Sequence, residues 1–155
     1  MRKVTKIVVH CSDSNWGDVN EIRKWHVQGN GWSHIGYHYL IYNGYPSFNS
    51  LSTGLLPNWD GMVVNCLDEE LSGIHVKGMN FYSIGICLIG KTQFTTKQMD
   101  NLKQLVQSLM FKYHLNVSDV LGHYETPTGA AQGKTCPNIE MNAFRSTLHS
   151  DSASA

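Results

Sequence analysis

The chain has 155 residues and carries 12 basic and 12 acidic side chains, so its formal net charge is zero. Charged residues make up only 15% of the chain, which argues against a coiled coil or a polyelectrolyte tail. Lys and Arg are scattered singly, and nucleic acid is not expected as the main partner because phosphate binding needs clustered positive charge. Leu, Ile, Val and Phe form about a quarter of the chain, enough for one domain with a buried core.

The apolar runs of the sequence are too short for a signal peptide or a membrane span. The N-terminus begins with basic residues, but the run over 7–9 stops at His10 and is too short for the h-region of a signal peptide. Apolar runs elsewhere stay well short of the 18 residues of a membrane span. We therefore expect a protein made in a cytoplasm, without membrane attachment, whose four cysteines are reduced thiols.

The first half of the chain predicts two strands, a helix and a long loop. Residues 4–10 are β-branched and apolar, which is typical of a buried strand. A helix capped by Asp18 or Asn20 follows and ends at a glycine-rich break. Residues 36–42 predict a second strand, and residues 43–58 are dense in Gly, Pro, Ser and Asn, which predicts a long loop.

The second half continues the alternation of strands and helices. Residues 95–98 have the form of a capping box, and the apolar spacing after them predicts a long helix to about His114. The other predicted elements are strands over 62–67, 82–89 and 117–122, a loop over 126–133 and a terminal helix from Pro137 to about Leu148. This order predicts a single α/β domain over residues 1–149, with a central mixed sheet flanked by about three helices, and a disordered tail over 150–155.

Three residues with metal-binding side chains stand at strand ends or in a turn. His10 ends the first strand in VVHCS, His123 follows the last strand in LGHYE, and Cys136 lies in the turn KTCPN. Ends of strands gather at one edge of a sheet, where ligand sites are commonly built. Two imidazoles and a thiolate suit zinc, and three protein ligands leave the fourth position open for water, as in catalytic sites. The spacing matches no local zinc motif, so core histidines and a buried thiol remain the alternative at this point.

Five segments carry a family resemblance. They are VVHCS, WSHIGYHYLI, GIHVKGMNFYSIGICLIG, LGHYE and KTCPN, in that order over about residues 4–148. The sequence resembles the zinc-dependent N-acetylmuramoyl-L-alanine amidases of type 2, a family that includes phage endolysins and the peptidoglycan recognition proteins. The resemblance implies one catalytic zinc ion held by His10, His123 and Cys136. It also implies hydrolysis of the amide between N-acetylmuramic acid and L-alanine in peptidoglycan.

The resemblance further implies roles for four residues outside the metal site. Tyr37 and Lys134 occupy the positions of the family's catalytic tyrosine and lysine, and a phenol and an ammonium can stabilise the oxyanion of amide hydrolysis. The loop over 126–133 must return that lysine to the metal. His75 and Asn80 match residues of the segment that lines the substrate groove, which implies contact with the substrate.

The remaining histidine and cysteine positions predict structural roles. His38 alternates with Tyr37 along a predicted strand and is expected to point to the opposite face as a core residue or a support for the site. Cys11, Cys66 and Cys87 are expected to be buried small side chains.

The expected activity has two rivals. A noncatalytic peptidoglycan-binding domain of the recognition-protein type often lacks the cysteine ligand, which is present here as Cys136. A structural zinc would need a fourth protein ligand, which the sequence does not offer. We expect a monomeric phage-type endolysin that binds muramyl peptide and reaches the wall after release from the cytoplasm, with the loop over 43–58 forming a wall of the substrate cleft.

Overall fold

In the computed structural model the chain is described from residue 2 to residue 154, and its side chains as far as residue 148. The disordered tail predicted over 150–155 falls outside this fully described part, so both the tail and the end of the domain at residue 149 stay predictions. Among the described residues, the helices are too short or too polar to cross a membrane.

A five-stranded sheet forms the centre of the domain. Its strands are β1 (Lys6–Cys11), β2 (Tyr39–Asn43), β3 (Asp60–Asn65), β4 (Ser83–Leu88) and β5 (Val120–Gly122), in the spatial order β3-β2-β4-β1-β5. Four strands run parallel, and β3 pairs antiparallel with β2. The predicted central mixed sheet is therefore confirmed.

Three longer helical segments flank this sheet, as predicted. α1 (Val19–Arg23) is capped by Asp18, whose side chain accepts the Glu21 N–H, and it continues as a π-helical turn over Lys24–Gly29. α3 (Thr96–Tyr113) carries the predicted capping box, with Thr95 as its N-cap. The third long segment is the terminal helix α5 (Met141–Ser154).

Two short helices and one helix start differ from the prediction. α2 (Ser50–Thr53) lies inside the predicted first loop, and α4 (Pro127–Ala131) occupies most of the predicted second loop. The start predicted for the terminal helix at Pro137 is wrong. That proline lies in a turn closed by a hydrogen bond from Asn138 N to Thr135 O (2.9 Å). The helix therefore begins four residues later, at Met141.

The two faces of the sheet bury different side chains. Alternate residues of β4, Ile84, Ile86 and Leu88, pack with α3 and α5 in the main core. The opposite face presents Gly85 and Cys87, and a smaller core packs there against α1. This second face also carries the chemistry, because His10 pairs in register with Cys87 on the neighbouring strand.

Candidate metal centre and active site

Three metal-binding side chains meet at the carboxyl end of the sheet. His10 is a buried residue of β1, and His123 opens a 3-10 turn (His123–Glu125) directly after β5, the strand next to β1. Cys136 approaches from the turn before α5. The ligating atoms of the three side chains lie within 4.8 Å of one another. The structure thus brings together the three residues that the sequence indicated.

His10 is held by a chain of hydrogen bonds beneath the site. Its Nε2 lies 2.8 Å from His75 Nδ1, and His75 Nε2 lies 3.1 Å from Ser83 Oγ. Burial lowers the pKa of His10 well below its usual value and lowers the pKa of His75 to about 3. Both imidazoles are therefore neutral at pH 7, which is the form of histidine that binds metals.

The turn that carries His123 is fixed by its neighbours. Thr126 Oγ1 donates to His123 O (2.8 Å), and Glu125 accepts from Gly122 N (2.9 Å) and from both terminal nitrogens of Arg145 (2.6 and 2.7 Å). Glu125 is thus a structural carboxylate. Burial and the Lys134 charge lower the pKa of the His123 imidazole, which favours its neutral form.

The sulfur of Cys136 receives a backbone donor. Cys11 N lies 2.8 Å from Cys136 Sγ, an arrangement that suits a thiolate ligand. The hydrogen bond to the Cys11 side chain and burial raise the pKa of the Cys136 thiol. The four cysteines, all in the described part of the chain, are free thiols. Cys11 and Cys87 are buried as predicted, whereas Cys66 is only partly buried and donates to Tyr37 O (3.2 Å).

A cavity of about 340 Å³ opens over these three side chains, and Tyr37 and Lys134 line it. The centroid of the Tyr37 ring lies 5.1 Å from that of the His10 ring. Burial raises the pKa of the Tyr37 phenol well above its usual value, so the hydroxyl keeps its proton. Lys134 is exposed, and its backbone N–H donates to Gly129 O of α4 (2.9 Å). α4 lies within the predicted second loop, and this hydrogen bond holds the Lys134 backbone next to the cavity.

His75 and Asn80 support the floor of the site. Asn80 Oδ1 accepts from His75 N (2.7 Å) and Val76 N (2.8 Å), which fixes the loop that carries the histidine. Contact of either residue with substrate stays a prediction. His38 is fully buried, accepts from Gly85 N at Nδ1 (3.0 Å) and lies 2.8 Å from Leu71 O, in agreement with its predicted core role.

Three features next to the site were not expected from the sequence. The ring of His26 accepts from Gly36 N (2.8 Å) and its centroid lies 5.3 Å from that of Tyr37, a placement that no sequence motif indicated. The ion pair between Arg145 and Glu125 and the hydrogen bond from Cys11 N to Cys136 Sγ are the other two. Neither contact has a sequence pattern, because the partners are brought together only by the tertiary fold.

Fold and site together define a class of protein. A single α/β domain carries an open cavity in which two neutral imidazoles and a thiol can share one metal ion. Two further groups, a protonated phenol and an ammonium, stand beside them. Three protein ligands with an open fourth position are the pattern of metal-dependent hydrolases.

The comparisons with known proteins then give the family. A family model described as N-acetylmuramoyl-L-alanine amidase matches residues 1–139, and the chain belongs to that family. Its relatives include the endolysin of Escherichia phage T7, 34% identical over 89% of this chain and 83% of that protein. The endolysin of Klebsiella phage KP32 is 30% identical over 92% of this chain and 86% of its own length.

Solved structures agree with this family. The N-acetylmuramoyl-L-alanine amidase LysC from Clostridium intestinale superposes with a TM-score of 0.75 at 25% identity, over 96% of this chain and 87% of that one. Drosophila peptidoglycan recognition protein SD shares the fold, with a TM-score of 0.66 at 18% identity over 88% and 76% of the two chains. The protein is thus an N-acetylmuramoyl-L-alanine amidase, a hydrolase of the peptidoglycan amide bond.

Proposed function

We propose that this amidase is a zinc enzyme in which His10, His123 and Cys136 hold one catalytic ion, and that it acts as a phage-type endolysin. The observation that carries the proposal is the convergence of three ligating atoms within 4.8 Å, in a cavity that Tyr37 and Lys134 also line.

The donor set fits zinc. Two neutral imidazole nitrogens and one sulfur are borderline and soft ligands, which zinc accepts in tetrahedral sites. The Cys11 N–H aimed at Cys136 Sγ would stabilise the thiolate that a metal requires. No fourth ligand joins the group among the described residues, which favours a catalytic over a structural site. When bound, zinc would activate a water molecule at neutral pH and polarise the scissile carbonyl.

Two side chains of this chain would stabilise the transition state. Tyr37 Oη keeps its proton because burial raises the pKa of the phenol, so it can donate a hydrogen bond to the developing oxyanion. Lys134 brings a positive charge to the rim of the same cavity, where it would attract that oxyanion and the substrate carbonyl. His75 and Asn80 are further candidates for substrate contact, as the family resemblance implies.

The biological setting follows from the relatives. The phage T7 and KP32 proteins are endolysins, which supports the same role here, with the muramyl peptide of peptidoglycan as the substrate. We expect a monomer that is made in the host cytoplasm and acts on the wall after release. A noncatalytic peptidoglycan-binding role is less well supported, because the proposed ligand Cys136, Tyr37 and Lys134 are all present in the chain.

Product analysis on purified peptidoglycan tests the proposed reaction. We expect soluble stem peptides with new L-alanine amino ends and no new reducing sugar ends, and we expect chelation of the metal to stop their release. The Cys136→Ser variant serves as the matched inactive control. New reducing ends would instead indicate a glycosidase, and binding to the wall without any release would indicate the noncatalytic alternative.

A further inference from the structure

His75 contacts His10 at Nε2 and completes a chain of polar groups that runs on to Ser83. We infer that His75 is a positioning residue that fixes the tautomer and the orientation of His10, so that His10 presents Nδ1 to the metal. This inference rests on the proposed function, because it concerns how one of the three proposed ligands is held.

The hydrogen bonds from Ser83 to His10 determine which ring nitrogen of each histidine carries the proton. Ser83 Oγ lies 2.7 Å from Met79 O, and a carbonyl oxygen can only accept, so the hydroxyl proton of Ser83 points to that carbonyl. Ser83 Oγ then has only lone pairs for His75 Nε2 at 3.1 Å, so His75 carries its proton on Nε2. The bare Nδ1 of His75 accepts at 2.8 Å from His10 Nε2–H. The lone pair of His10 is therefore on Nδ1.

The supporting ring is itself held firmly. Asn80 Oδ1 accepts the backbone N–H groups of His75 and Val76, which fixes the loop at this point. Two glycines make room for the ring, because a Cβ atom would lie 2.8 Å from it at Gly85 and 2.9 Å from it at Gly73. The His75 ring also packs edge-on to the His10 ring, with 5.0 Å between centroids. Rotation of either imidazole would break these contacts.

These contacts give His75 a task in addition to the proposed substrate contact. Both of its nitrogens are engaged, Nδ1 with His10 and Nε2 with Ser83, so a sugar or a peptide could contact only the carbon atoms of the ring. Partners that orient a ligating histidine typically contribute 10- to 100-fold to metal affinity. His75 would thus act on the reaction through His10.

Two measurements test the inference. The first uses the wild-type protein without metal, in which nitrogen-detected NMR of the imidazoles reports the tautomers directly. We expect the proton of His10 on Nε2 and that of His75 also on Nε2. A proton on His10 Nδ1 would overturn the inference, and this result does not depend on whether any variant folds.

The second measurement is zinc affinity, determined by competition with a chromogenic chelator. His75→Ala should bind zinc roughly 10- to 100-fold more weakly than wild type. His75→Asn should recover most of that loss, because its Oδ1 stands near the position of Nδ1 and can accept from His10. The matched control is His114→Asn, at an exposed position with φ of 56° that asparagine tolerates.

The outcomes separate this inference from the proposed function. If wild type binds zinc tightly and folded His75→Ala binds it equally well, the inference is wrong while the zinc amidase proposal stands. If wild type does not bind zinc, the proposed function fails, and the His10 tautomer in the metal-free protein still decides the contact with His75.

Discussion

Tyr37 and Lys134 stand in the same cavity but are held in different ways. Tyr37 is a packed ring whose centroid lies 5.1 Å from that of His10 and 5.3 Å from that of His26. Lys134 is an exposed side chain fixed mainly through its backbone, which donates to Gly129 O. The phenol is thus held by packing against two imidazole rings, whereas the ammonium stands on an exposed side chain.

Substitution of these two residues separates catalysis from metal binding. Tyr37→Phe and Lys134→Ala should keep one zinc and wall binding but lose roughly 100- to 1000-fold in turnover, the usual cost of removing one oxyanion donor. We expect the loss of turnover to be less certain in size for the lysine variant, because Lys134 is exposed whereas the Tyr37 ring is packed. Release of stem peptide and zinc content are measured together. A Lys134→Ala enzyme with more than about half of wild-type turnover would exclude the lysine from the transition state.

Single residues were predictable from the sequence where they carry a distinctive chemical group. The two imidazoles and the thiol that meet at the proposed metal site were indicated this way, and the family resemblance indicated Tyr37 and Lys134, which line the same cavity. Their roles stay predictions. The contacts of His75 were not, because the sequence does not reveal which atoms lie next to its ring. Ser83 carries no distinctive sequence signal, yet its hydroxyl is a hydrogen-bond partner of that ring.

At the scale of elements, the 3-10 turn after β5 depends on an ion pair. Burial alone would raise the pKa of Glu125, but Arg145 and the Gly122 N–H together hold this pKa below its ordinary value. A depressed pKa in the folded state stabilises the fold above the ordinary glutamate pKa of about 4.3. This contribution is lost as the pH falls through the folded-state pKa.

The Glu125→Gln variant tests this linkage. In the metal-free protein, the free energy of unfolding should be lower for the variant than for wild type at pH 7. The difference should shrink as the pH falls below the ordinary glutamate pKa of about 4.3, because protonation of wild-type Glu125 removes its ion pair. Urea denaturation at a series of pH values measures this. A difference that is constant across that range would contradict the assigned role of the ion pair.

The short helix α4 contains a glycine, Gly129, at which we expect any larger side chain to be destabilising. A Cβ atom at Gly129 would lie 2.0 Å from His123 O, so Gly129→Ala must push α4 away from the turn that carries His123. We expect a loss of about 1 to 3 kcal/mol in the free energy of unfolding and weaker zinc binding. Denaturant unfolding and zinc affinity check this. Ala130→Ser, at the exposed neighbouring residue, is the control, and equal behaviour of both variants would refute the packing argument.

Elements were predictable where the local sequence decides them. The capping box and apolar spacing of α3 are local, and this helix agrees with its prediction to within one residue at each end. Residues 126–133 were expected to be a loop because Gly, Ala and Pro dominate them. A local N-cap folds five of them into α4, since Thr126 accepts the Gly129 N–H (3.0 Å) and Pro127 stands in the first turn. Composition alone does not report such a contact.

At the scale of the whole molecule, the segment over 43–58 carries four of the exposed large apolar side chains found among the described residues. Phe48, Leu51, Leu55 and Leu56 are exposed large side chains on it. Phe48 also contacts Trp16, whose ring lies 5.4 Å from that of Trp25 on the helical segment that includes α1. The loop is therefore anchored to the body of the domain, also through the hydrogen bond from Gly17 N to Tyr45 O (2.8 Å), while it presents apolar groups to solvent.

Shortening this segment tests its predicted role as a wall of the substrate cleft. Replacement of residues 46–55 by a tight turn should leave zinc content intact, because the proposed ligands lie elsewhere, and should change turnover on walls from different bacterial species. Unchanged activity on every wall would show that the loop is a tolerated insertion, since loop closure entropy grows slowly with length.

The class of fold was predictable from the alternation of strands and helices, but the order of strands in the sheet was not. The order β3-β2-β4-β1-β5 depends on which distant segments pair, for example Val8 with Gly85 on β4 and with Leu121 on β5. These pairings bring His10 next to His123 across more than a hundred residues of sequence. Sequence periodicity reports which face of a strand is buried and carries no information on its neighbours.

Titration of the metal-free protein with zinc tests the central claim most directly, namely that one zinc ion held by His10, His123 and Cys136 makes this fold an amidase. Release of stem peptide from purified peptidoglycan is measured at each addition. We predict no turnover without zinc, a linear rise with added metal and a plateau at one equivalent, with Cys136→Ser inactive throughout. Full turnover of the metal-free protein, or a Cys136→Ser variant that reaches the wild-type plateau, would contradict the account.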